Sequence, residues 1–242
     1  METAAIRSPE FKVYEYYEQA AHNPHYFLPM VYTLDPHEED LQIQKYGKPF
    51  PYNEQESQYP YLSYITERWW DIETYGRLLF VEKSRQMLES WQMVALYLWD
   101  SIVKPNNYIY YRSEKLGKTG DKSNELSLLG RAIYIMRWLK YYYPEFLCHI
   151  WGKDYVWTEP KQSPLTLWRF PNGSTIHCVT NNPDDVRMYS ANGALCDEDA
   201  FVTNVDEADA ALMPQLGVKG RCTKITSANG GTRAERICKD LE

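Results

Sequence analysis

The apolar run Ala194-Leu195-Cys196 leads straight into Asp197-Glu198, two adjacent carboxylates that must take distinct roles. At a strand end, one acid of such a pair can hold a metal shell while the other orients or deprotonates an attacking water. A second constellation, Lys83-Ser84-Arg85-Gln86-Met87-Leu88-Glu89-Ser90, lies between the apolar residues Leu78-Leu79-Phe80-Val81 and a long apolar run over residues 91–99. Strand, short polar loop and buried helix make the geometry of phosphate binding, because loop amides and the helix N-terminus point at an anion. There Lys83 would bind the outer phosphates of a nucleoside triphosphate, and the Ser90 hydroxyl would ligate Mg²⁺. A third polar sequence, Thr226-Ser227-Ala228-Asn229-Gly230, closes the strand candidate that starts at Cys222.

Each feature also has a bland explanation. Asp197-Glu198 alone is a solvated acidic turn. The Lys83 segment alone is a polar surface loop, since it lacks both glycines and the penultimate lysine of the Gly-x-x-x-x-Gly-Lys-Ser/Thr template. Gly117-Lys118-Thr119 copies the end of that template, but the position of the required earlier glycine is Arg112. It reads instead as a decoy, part of a mobile, solvated, DNA-facing loop over residues 113–125.

The elements that must position these residues follow from periodicity. Residues 1–60, rich in Pro, His, Tyr and acids, predict short extended pieces and turns laid over a core. Leu62, Ile65 and Trp69 have helical spacing, and residues 77–82 predict a strand buried on both faces of a parallel sheet. Residues 91–99 predict a buried helix, and residues 108–112 a second strand. Leu126, Leu129, Ile133, Met136 and Leu139 predict a helix capped by Ser123 and closed by Pro144. Residues 168–179 predict two strands joined at Pro171-Asn172-Gly173, the Asn-Gly pair supplying positive φ. Strands alternating with helices imply a parallel sheet covered on both faces, with the ligand beyond the carboxyl ends of the strands.

Three polar strand ends in this order resemble the large terminase subunit of tailed bacteriophages, the ATPase that pumps DNA into procapsids. The segment from Lys83 to Ser90 is similar to the family's phosphate loops, Lys-Ser-x-Arg-x-Gly-x-Ser or Ser-Arg-Gln-x-Gly-Lys-Thr. Asp197-Glu198-Asp199-Ala200-Phe201 is similar to its Asp-Glu-x-Ala-Phe acid motif, and Thr226-Ser227-Ala228-Asn229-Gly230 to its Thr-Thr-Pro-Asn-Gly coupling motif. The resemblance implies an α/β P-loop NTPase fold of the ASCE/RecA-like kind, with a mainly parallel central sheet flanked by helices.

It also implies roles. ATP and Mg²⁺ would be the cofactors, with phosphates on residues 83–90, metal on Ser90 and Asp197, and Glu198 and Lys83 catalytic. Arg187, ten residues before Asp197, would be an arginine finger, with Arg85 the other candidate. Thr226, Ser227, Asn229 and Gly230 would couple hydrolysis to movement, and Gln55 or Gln58 would read adenine. The implied partners are double-stranded DNA, a homo-oligomeric ring, the portal protein and the small terminase subunit. The implied location is the host cytoplasm and, transiently, the procapsid portal vertex.

Two positions depart from the pattern. Leu88 replaces a glycine, and Glu89 stands where one branch of the family has lysine. A carboxylate ~4 Å from a phosphate would repel by ~4 kcal/mol at an effective dielectric near 20, so Glu89 is expected to face solvent or to weaken binding. That departure keeps open a non-catalytic DNA-binding or scaffold module with a degenerate loop; a helicase-like ATPase of the same fold is a further alternative.

Composition sets the bounds. The 242 residues carry 26 Lys+Arg against 33 Asp+Glu, a charge of −7, which argues against a surface wholly adapted to nucleic acid. No apolar run reaches the ~18–20 residues of a membrane span. Five cysteines without a CxxC pair read as reduced thiols, five histidines show no ligand spacing, and no signal peptide is visible, so an intracellular protein is expected. Residues 1–54 are expected to be an N-terminal extension packed on the core and residues 55–242 an ATPase domain. The sequence ends twelve residues past Gly230, so the nuclease domain that follows in the family is expected to be missing.

Overall fold

A computed structural model describes residues 9–34, 43–45, 60–83, 89–161, 165–187, 189–198 and 205–227. In chain order these form α1 (Pro9–His22), α2 (Pro24–Phe27), β1 (Tyr32–Leu34), β2 (Ile43–Lys45), α3 (Pro60–Trp70), α4 (Ile72–Tyr75), β3 (Leu78–Lys83) and α5 (Glu89–Val103). Then come β4 (Tyr108–Arg112), α6 (Leu116–Thr119), α7 (Leu128–Tyr142), α8 (Pro144–Trp151), β5 (Leu167–Arg169), β6 (Thr175–Val179), α9 (Pro183–Val186), β7 (Ala191–Cys196), α10 (Val205–Leu212) and β8 (Leu216–Ser227).

Among the described residues six strands form one sheet in the order β3-β8-β7-β4-β6-β5, parallel throughout except for β5. The fold is α/β, with a mainly parallel central sheet flanked by helices. Side chains alternate across it as the two-residue period requires. Ile109 and Tyr111 face the larger core with α5 and α7, while Tyr110 joins Val186, Ala211 and Leu212 under α9 and α10. Helix α5 is apolar nearly all round because it lies between the sheet and other helices, and its residues from Glu89 to Ile102 are buried.

Several expectations need correction. Strand β3 is not buried on both faces: among the described residues it is an edge strand paired only with β8, and Leu78 is 51% exposed. Its apolar run satisfies one face and one neighbour. Within residues 1–60, β1 and β2 are short extended pieces as expected, but the 14-residue helix α1 is not, and it buries Tyr17 and Ala20 in the main core. The cap of α7 is Ser127, which accepts from the Gly130 amide at 2.9 Å, rather than Ser123.

In the β5–β6 turn only Gly173 has positive φ, +83°. Asn172 instead donates its side-chain amide to the Ser101, Ile102 and Lys104 carbonyls at 2.9–3.0 Å, capping the end of α5. Strand β8 starts at Leu216, six residues before the sequence signal at Cys222. The boundary between residues 54 and 55 lies outside the described residues. Among the described residues, no helix is long and apolar enough to cross a membrane.

Candidate functional site

Parallel register brings the carboxyl ends of four strands together. Lys83 ends β3 opposite Ser227 of β8, Cys196 of β7 faces Lys224 of β8, and Arg112 of β4 faces Cys196. The chain leaving β7 is held there by the Asp197 amide, which donates to the Arg112 carbonyl at 3.0 Å. Helix α5 starts at the same end, so its first turn faces the acid pair.

Ser90, in that first turn, donates its hydroxyl to Asp197 Oδ1 at 3.1 Å. Two hard oxygen donors from different elements thus converge. This is the donor chemistry Mg²⁺ takes when one or two protein oxygens hold it alongside phosphates, so the residues present fit that ion. The other Asp197 oxygen, Oδ2, lies 3.6 Å from Arg131 Nη1 of α7. Arg131 is largely buried and its guanidinium lies 5.6 Å from the Trp91 ring centre.

Glu198 adopts φ +57°, the left-handed region that residues other than glycine visit at a cost of ~1 kcal/mol. Its Oε2 accepts from Lys118 Nζ at 2.5 Å, and the same ammonium lies 3.3 Å from Glu114 Oε2. Lys118 is therefore at the site while remaining exposed: it lies in α6, whose last residue, Thr119, is fully buried.

Glu89 does not face solvent. It is 1% exposed, its Oε2 has no hydrogen-bond partner among the described residues, and burial pushes its carboxyl up to about 8, with the Lys83 charge acting in the opposite direction. A carboxyl with that value is mostly neutral at pH 7, which removes the repulsion a charged Glu89 would exert on a phosphate.

Thr226 is buried and Ser227 half-buried at the end of β8, beside Glu82 and Lys83 in register. Arg187 stands elsewhere. It is exposed, pairs with Asp184 at 2.9 Å, and lines a shallow groove with Glu207 and Gln215 on the α9–α10 side. The single chain does not bring it to Ser90 and Asp197. Ser84, Arg85, Gln86, Met87, Leu88, Asn229, Gly230, Gln55 and Gln58 lie outside the described residues.

No family model and no curated protein matches the sequence. Among solved structures the chain is similar to phage large terminases. Against the large terminase ATPase domain of Thermus phage P74-26, an arginine-to-alanine mutant gives a TM-score of 0.47 at 16% identity over 66% of this chain and 63% of that one. A second structure of that domain gives 0.43 at 16% identity over 64% and 60%. The large terminase of a thermophilic bacteriophage gives 0.42 at 10% identity over 66% and 36%. The match thus spans less than two thirds of each of these chains.

Sequence reasoning missed two cations at the site, Lys118 and Arg131. The only signal for Lys118 is its place in a Gly-Lys-Thr triplet, which fails the phosphate-loop template for want of its first glycine. Arg131 gives none, being one polar position of an amphipathic helix.

Proposed function

We propose that this chain is the ATPase part of a terminase large subunit, hydrolysing ATP to drive double-stranded viral DNA into a procapsid. The observation that carries the reading is the hydrogen bond from Ser90 to Asp197. It joins a phosphate-loop hydroxyl and a strand-end carboxylate that the sequence separates widely.

In this reading Lys83 and the amides of residues 84–90 bind the phosphates, and Ser90 and Asp197 hold Mg²⁺. Bound Mg²⁺ would supply positive charge against the phosphate oxygens. Glu198 orients the attacking water and takes its proton at the carboxylate. Neutral Glu89 lines the loop without opposing the anion. Thr226 and Ser227 at the end of β8, with Asn229 and Gly230 beyond it in sequence, relay the product state.

Arg187, exposed and paired with Asp184 rather than with Asp197 or Glu198, suits a finger offered to a neighbouring copy in a homo-oligomeric ring, so the isolated chain should turn over slowly. Portal protein and small terminase subunit are the proposed further partners, in the host cytoplasm and at the portal vertex.

The test is Glu198→Gln in the assembled protein. It should bind Mg-ATP with near-normal affinity and fail to hydrolyse it. Unchanged turnover would overturn the assignment. No heat on titrating the unmutated chain with millimolar Mg-ATP would instead favour a non-catalytic scaffold.

A further inference from the structure

We infer that Lys118 is a positioning residue for Glu198, fixing the carboxylate from which the attacking water is activated. The inference rests on the ATPase reading and adds to it a residue outside the three strand-end motifs. Its ammonium holds Glu198 Oε2 at 2.5 Å, while Oε1 takes no hydrogen bond among the described residues. One oxygen is anchored and the other is left for water.

The anchor is itself fixed. The chain leaving β4 passes directly beside the acid pair, because the Arg112 carbonyl accepts the Asp197 amide. The α6 turn that follows is closed by the Gly120 amide donating to the Leu116 carbonyl at 2.7 Å. It is clamped from the β5–β6 side by the Leu165 amide on the Gly120 carbonyl at 2.9 Å and the Cys178 thiol on the Thr119 carbonyl at 3.6 Å. Glu114 holds the ammonium from a second direction at 3.3 Å.

The pair is poorly placed to serve stability. Lys118 and Glu198 side chains are 47% and 45% exposed, and exposed ion pairs contribute little to folding. Its consequence lies in direction. Glu198 is in the left-handed region, so its backbone aims the carboxylate where few other conformers would, and a small misplacement of a catalytic group can reduce rate ~100-fold.

The experiment compares steady-state ATP hydrolysis by the full-length wild type, Lys118→Ala and Lys118→Arg, without DNA, alongside thermal melts. Lys118→Ala should lower kcat by at least about tenfold with KM for ATP and melting temperature nearly unchanged, and Lys118→Arg should recover most of the loss. A merely structural role would move the melting temperature, and it would not produce a kcat-only loss restored by arginine. Unchanged kcat, a rise in kcat, or a loss seen only when duplex DNA is added would overturn the inference. If the wild type itself hydrolyses no ATP under conditions of assembly, the ATPase reading fails; wild-type turnover with an unaffected Lys118→Ala refutes this inference alone.

Discussion

Ser90 and Asp197, 107 positions apart, are in hydrogen-bond contact at 3.1 Å. Strand β8 stands between β3 and β7, yet α5 crosses the sheet so that its first turn reaches the end of β7.

Removing the Ser90 hydroxyl or the Asp197 carboxylate charge should remove metal dependence rather than the fold. Ser90→Ala and Asp197→Asn are each expected to weaken Mg²⁺-dependent ATP binding by roughly 10–100-fold or more while leaving the melting temperature within a few degrees. Calorimetric titrations with and without Mg²⁺ read this directly. Equal affinities for the variants and the wild type would sink the metal assignment.

Glu89 makes stability depend on pH in the direction opposite to an ordinary salt-bridged acid. Its carboxyl is raised from 4.5 to about 8 by burial, so between those values the folded state holds a proton that the unfolded state has released. Stability from this group is present below about 4.5 and falls as pH rises toward about 8. Glu89→Gln keeps the neutral shape without the proton. We predict that it flattens this part of the pH profile and raises the melting temperature at pH 8 more than at pH 5. An identical shift at both values would contradict a buried neutral carboxyl.

Gly130→Ala sets two effects against each other. In a helix, alanine is favoured over glycine by ~1 kcal/mol. Here an added Cβ would lie 2.0 Å from the Asn124 carbonyl oxygen, a backbone atom that cannot rotate away. The Ser127 cap on the Gly130 amide and the Ser127 hydroxyl on the Asp121 carbonyl, at 2.6 Å, would shift with it. Overpacking of this kind costs about 1–3 kcal/mol, so the clash should win. Chemical denaturation should give a net loss; a stabilised variant would contradict the tight turn.

How far the sequence reveals this arrangement depends on the residues. The elements β3, α5, β4, α7 and β7 are legible because each carries an apolar run or a clear period, and those runs place Lys83, Ser90, Asp197 and Glu198 at the ends of elements. Helix α1 is not legible: its sequence PEFKVYEYYEQAAH is polar over most of its surface and buries Tyr17 and Ala20 by docking on a core built elsewhere. The edge position of β3 is equally hidden, since an apolar run does not state how many neighbours it has. Lys118 and Arg131 reach the acids through tertiary register, which no local spacing encodes.

Asp209 is a further example, a buried acid in α10 with no motif around it. Its carboxylate accepts from Arg112 at 2.8 Å and also from Lys224, both cations being nearly inaccessible to solvent. The row Arg112, Cys196, Lys224 runs across three adjacent strands at the site end of the sheet, so Asp209 ties α10 to the strand that continues into Thr226. Removing one partner of a buried ion network leaves its charges uncompensated, at about 3–5 kcal/mol. We predict a loss of that size for Asp209→Ala in urea unfolding. Asp209→Asn should lose less, because the amide oxygen can still accept one of the two donors. Equal stability of the alanine variant and the wild type would show that the two cations are satisfied without it.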